Sequence, residues 1–144
     1  MKRLAKKLTI LALLLDALLA IGFGLFSWIY PLHSFGSILA IPESDSSVFL
    51  SILSCLSLSY MLIGITCLIG IKATHPTQRW LSLLMILRHF LEGIIKLRDM
   101  GEEWLIGNPY PDIILHSIFI LLYSLAIFYT HLDSRKQKER IHGH

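Results

Sequence analysis

Arg88, His89, Glu92 and Lys96 lie within residues 88–96 (RHFLEGIIK), embedded among leucines and isoleucines. Arg88, Glu92 and Lys96 recur every four residues, so on a helix they form one polar stripe, with His89 beside it. Groups of this kind inside an apolar stretch face the interior of a bundle or a water-filled cavity. They can do three kinds of work. One is an ion-pair ladder in which Arg88 holds Glu92 and Lys96 reaches the outer surface. The second is a polar pocket that binds a ligand or relays protons, with His89 and Glu92 as acid–base groups. The third is a subunit contact.

Asp16 and His116 are the other ionisable residues placed within apolar stretches. Counting a rise of about 1.5 Å per residue from the ends of those stretches puts Asp16 and Arg88 at a similar depth, about 12–14 Å, which makes a pair feasible. The same counting brings Glu92 towards His116 below the outer surface. It separates His89 from His116 by about 10 Å, a poor arrangement for two ligands of one haem. No metal centre or cofactor is therefore expected. His33, His75 and His131 fall in loops or at boundaries, and His142 and His144 in the tail.

The elements that must position these side chains are long apolar blocks. The chain has 144 residues, of which 54% are hydrophobic and 16% charged; its mean hydropathy is +0.64. That composition argues against a soluble domain. A bilayer core about 30 Å thick takes about 20 apolar residues per helix. Four blocks satisfy this, at about residues 8–30, 48–71, 79–98 and 113–132. The fold class expected is all-α, one four-helix transmembrane bundle covering residues 1–144, with a basic tail at 133–144.

The first block starts after MKRLAKK and ends in Trp28-Ile29-Tyr30 before Pro31, an interfacial stop. Its length, Asp16 and the lack of a small-x-small cleavage site argue against a removed signal peptide. The third block is weak alone. Each central charge costs about 2.5–3.5 kcal/mol, against about 0.3–0.6 returned per apolar residue. Charge asymmetry restores it. With four spans the basic head, the basic segment at 72–79 (KATHPTQR) and the basic tail share one side. Glu43, Asp45, Glu102 and Glu103 lie on the other. The positive-inside rule then gives an N-in, C-in topology. It also accounts for the net charge of +3 without nucleic acid as a partner.

Other motifs speak of packing. Ser47, Ser51, Cys55 and Ser59 recur at every fourth position, a small-residue ridge along which another helix can approach closely. Cys55 and Cys67 stand about three turns apart on one block, so they cannot bridge within it and read as small packing residues. There is no phosphate-binding glycine loop, zinc signature, dinucleotide fingerprint or nucleophile elbow.

The layout resembles the DoxX-like group of small bacterial four-helix membrane proteins. The resemblance rests on the basic start, the first span ending in Trp28-Ile29-Tyr30-Pro31, and the Gly-containing stretch His33 to Gly36. It continues in the second span with Gly64 and Gly70, the short basic loop, and the third span with Arg88. It covers about residues 4–132 and implies the bacterial cytoplasmic membrane. Some members are linked to quinone redox chemistry, but no catalytic residue of the group is matched here.

Two functions are expected from these observations. One is a non-enzymatic bundle, either a helper subunit or a binder of a lipid or small molecule, in contact with the bilayer and with a partner protein or a second copy. The other is a membrane enzyme or quinone-linked redox partner using Glu92, His89 and His116 as acid–base groups.

Overall fold

The computed structural model describes residues 2–31, 46–98, 108 and 110–142, with side chains for 4–31, 50–98, 108 and 110–132. The described residues form four helices: α1 (Lys2–Ile29), α2 (Ser46–Lys72), α3 (His75–Arg98) and α4 (Tyr110–His142). Three segments are long and apolar enough to cross a membrane: Leu4–Ile29, Leu50–Lys72 and Tyr110–Leu132. The acidic residues expected to mark the outer loops, Glu43, Asp45, Glu102 and Glu103, lie outside the described residues, as do His33 and His144.

The boundaries differ from the apolar blocks because backbone hydrogen bonding continues past them. The 72–79 segment is nearly all helix, with only Ala73 and Thr74 between α2 and α3. Ala73 N donates to Gly70 O at 3.1 Å, closing α2, and Gln78 N donates to Thr74 O at 2.9 Å, opening α3. Pro76 is tolerated because the first turn has no intrahelical acceptors for its amides. Gln78 is buried, and its Nε2 donates to the Gly70 and Ile71 carbonyls at 3.1 and 3.0 Å. These are among the terminal carbonyls that α2 leaves unbonded. Helix α4 begins at Tyr110, whose amide donates to Asn108 Oδ1 at 3.0 Å, and continues as helix through the basic tail to His142.

Helix α1 is the centre of the bundle, packed chiefly against α2 on one flank and α4 on the other, with α3 against α4. Its buried face holds Leu13 and the alanines Ala5, Ala12, Ala17 and Ala20, small residues that let neighbouring backbones come near. The α1–α2 approach is closest at Gly24 and Gly64. A Cβ on Gly24 would sit 2.7 Å from Met61 Cγ and 2.8 Å from Ser57 O; one on Gly64 would sit 2.9 Å from Ala17 O.

The small-residue ridge therefore needs correcting. Cys55 and Ser59 are exposed, and the face of α2 that meets α1 runs through the buried Ser57, Gly64 and Cys67. Ser51 is on the exposed side too, and the side chain of Ser47 lies outside the described residues. The four-residue spacing detects a ridge without saying which way it faces.

Helix α3 explains its own odd composition. Trp80, Leu84, Leu87, Leu91 and Ile95 are exposed, while Gln78, Ser82 and His89 are buried. Its outer surface is thus apolar, while its inner surface mixes these polar residues with Leu81 and Met85, unlike a soluble amphipathic helix.

Candidate functional site

Three helices supply the polar centre. From α1 comes Asp16, 2% exposed. Its carboxylate is held from three directions. Arg88 Nη1 donates to Oδ1 at 3.1 Å, and Tyr123 Oη donates to Oδ2 at 3.1 Å. His89 Nε2 lies 3.1 Å from the same Oδ2. An ionised carboxylate accepts only, so the proton of that last bond is assigned to His89 Nε2. This saturation is what keeps a carboxylate tolerable in an apolar interior.

Helix α3 supplies the stripe. Its first two acids and bases pair one turn apart, with Arg88 Nε donating to Glu92 Oε1 at 3.0 Å. The guanidinium carbon of Arg88 stands 5.7 Å from the Tyr60 ring centroid, a cation–π contact that ties α2 to the centre. Lys96 leaves this cluster: its Nζ sits 3.0 Å from Asp112 Oδ2, in the first turn of α4.

Helix α4 brings one face, His116, Phe119 and Tyr123, spaced by three and four residues as neighbouring turns require. Phe119 stacks on the His89 ring with centroids 4.7 Å apart and planes 10° from parallel. That stacking and the Nε2 bond together fix the imidazole and aim its Nδ1 away from Asp16.

What it aims at is His116. The two Nδ1 atoms are 3.0 Å apart. With His89 Nδ1 bare, the proton between them belongs to His116. Glu92 Oε2 completes a triangle, 3.4 Å from His116 Nδ1 and 3.9 Å from His89 Nδ1. This oxygen is buried and makes no hydrogen bond. The three atoms lie within 4.8 Å of one another, close enough for one cation to touch all three.

The expected depth gap of about 10 Å between His89 and His116 is thereby overturned. It was counted from a span starting at residue 113. Helix α4 starts at Tyr110, so His116 sits about 9 Å into it, not about 4 Å. The imidazole side chains cover the remaining offset. The ground on which a shared ligand was excluded disappears with it.

Of the six residues expected in the polar site, Asp16, Arg88, His89, Glu92 and His116 converge, and Lys96 forms a separate outer pair. The sequence reading missed Tyr60, Phe119 and Tyr123. The last two carried a signal, since they share the helical face of His116; Tyr60 carried none.

Comparison with protein-family models, with curated proteins and with solved structures finds no match.

Proposed function

We propose that this protein is an integral membrane bundle of four spans, with both termini on the cytoplasmic side, whose polar centre binds a small ligand without catalysing a reaction. The DoxX-like layout would put it in the bacterial cytoplasmic membrane, where it contacts lipid and either a partner subunit or a second copy. The fourth span is α3. The support for it is the apolar outer face of that helix, together with the positive charge at the 72–79 connection.

One observation carries the binding reading. In a purely structural ladder the carboxylates would spend their oxygens on partners. Asp16 does so on both oxygens; Glu92 does so only through Oε1. The leftover Oε2 points towards two imidazole nitrogens, which makes a set of atoms ready for a ligand.

The comparison of Glu92→Gln with the native chain tests this. The shape is retained, so the bundle should stay folded in mild detergent. A small molecule or ion retained by the native chain in native mass spectrometry should be lost. Lower stability with ligand content unchanged would leave Glu92 as a structural group only.

A second reading has its own observation. Asp16, His89 and His116 are joined by hydrogen bonds, and Glu92 Oε2 lies 3.4 Å from His116 Nδ1, an array that suits proton transfer to a lipid or quinone-like substrate. Turnover of such a substrate by the purified protein, abolished in Glu92→Gln, would favour that reading over simple binding.

A further inference from the structure

Resting on the reading of the polar centre as a binding site, we infer that its ligand is a divalent first-row transition ion, with zinc as the reference. The ion is held by His89 Nδ1, Glu92 Oε2 and His116 Nδ1. The triangle of these atoms has sides of 3.0, 3.4 and 3.9 Å. Its circumradius is about 2.0 Å, so one point lies at about the Zn–N and Zn–O bonding distance, about 2.0–2.2 Å, from all three atoms. The distances thus bring all three atoms within reach of one ion, with the imidazoles turning from each other towards it.

The second layer fits as well. A metal-bound histidine ordinarily donates its other N–H to a carboxylate, which fixes the tautomer and aims the lone pair. Asp16 does this for His89, and Asp16 is in turn anchored by Arg88 and Tyr123. Phe119 holds the ring plane. This is more preparation than a packed histidine needs.

The charge of the centre suits a cation, and the protons balance. Asp16 and Glu92 carry two negative charges against the one positive charge of Arg88, and Lys96 is cancelled by Asp112. The centre therefore holds one excess negative charge in an apolar setting, which attracts a cation; a divalent ion brings the sum to one positive charge, which an anionic fourth ligand such as hydroxide would cancel. On binding, the hydrogen bond between the two imidazoles is replaced by two metal–nitrogen bonds. The proton leaves His116 Nδ1 and is carried on His116 Nε2, so both rings stay neutral. Two nitrogens and one oxygen suit zinc, cobalt or iron and disfavour magnesium and calcium, which take oxygen ligands. Three protein ligands leave a fourth position for water or an anion.

The test uses the full-length protein in mild detergent, with His142→Ala and His144→Ala introduced to remove the tail histidines. Titration with Co(II) should give the visible bands of a four-coordinate ion, saturating at one per chain. Zn(II) should displace it and Mg(II) should not. Glu92→Gln and His116→Gln should each weaken binding at least tenfold. Asp16→Asn, a positioning change, should weaken it about 10–100-fold and shift the bands. A folded native chain without saturable Co(II) bands overturns the site, as does unchanged affinity in the Glu92→Gln, His116→Gln double variant. If the variants misfold, X-ray absorption of the zinc-loaded native chain decides: two imidazole shells are expected, and any other imidazole count overturns the assignment. If the metal fails but an organic ligand is retained by the native chain and lost in Glu92→Gln, the binding reading stands and only the ligand class falls. Neither metal nor ligand defeats both.

Discussion

Breaking the Asp16–Arg88 pair should couple α1 to α3 measurably. These two helices barely touch through their backbones; long side chains bridge them. Asp16→Asn removes the charge but keeps the shape, leaving Arg88 with Glu92 alone. Arg88→Met removes the cation and leaves Asp16 with His89 and Tyr123. Breaking a buried pair on one side costs about 3–5 kcal/mol in water-soluble proteins. Arg88 is 16% exposed on its side chain and has a second carboxylate, so a cost near the lower end, about 3 kcal/mol, is expected for each single change. The double variant should cost less than the two singles together by about 1–3 kcal/mol, since the Asp16–Arg88 contact is counted in both singles but lost only once. The assay is reversible unfolding in mixed detergent, read as free energies for all four proteins of the cycle. Lys96 and Asp112 form the internal control. That pair is half-exposed, and its cycle should return about 0.2–1 kcal/mol. Additivity within about 0.5 kcal/mol at Asp16 and Arg88 would refute the contact. Equal coupling in the two cycles would refute the ranking by burial.

Three further outcomes follow from the packing and the charge pattern. Gly24→Ala should destabilise by about 1–3 kcal/mol, because its Cβ would meet both Met61 and the Ser57 carbonyl. Gly22→Ala, which meets nothing within 4 Å, should be neutral or gain up to about 1 kcal/mol from helix propensity, and identical melting shifts for the two would contradict the close approach. A lipid-soluble maleimide should label Cys55, which is exposed, and spare the buried Cys67 until the bundle unfolds; mass spectrometry of the labelled peptides reads this directly. Reporter fusions at residues 40, 75, 106 and the C-terminus should read out, in, out, in, and an external C-terminus rules out four spans.

Helix number was legible, and so were three of the four expected spans, because apolar blocks of about 20 residues have few alternatives. The Asp16–Arg88 encounter was also legible, since depth along a membrane helix follows residue count and both residues sit far from either end. The histidines were misjudged for a related reason. His116 lies near a helix start, and an error of three residues there shifts its depth by about 4 Å. The serine and cysteine ridge failed differently. Spacing gives which residues share a face, and the direction of that face depends on neighbours. On α2 the glycines settle it, because Gly64 is the position where α1 comes close enough to exclude any side chain.

The polarity of α3 joins these points into one argument about assembly. As an isolated segment it is the one helix of the four without an apolar stretch long enough to cross a membrane. Its charged residues each oppose insertion by about 2.5–3.5 kcal/mol at the centre of a span. Arg88 and Glu92 offset part of that by pairing one turn apart, and the rest needs Asp16 of α1 and His116 of α4. If α3 is the fourth span, as proposed, it cannot enter lipid alone and must settle against α1 and α4. The step that stabilises it is also the step that brings His89, Glu92 and His116 together. On the proposed four-span reading, stable insertion of α3 and formation of the proposed binding centre are then one event. A change that removes Asp16 should leave α3 poorly inserted as well as the centre disordered. A reporter at the 99–107 segment of Asp16→Ala should shift from outside to a mixed signal, while a reporter at residue 40 stays outside. An unchanged signal at both positions would show that α3 inserts without α1, and would separate the two events.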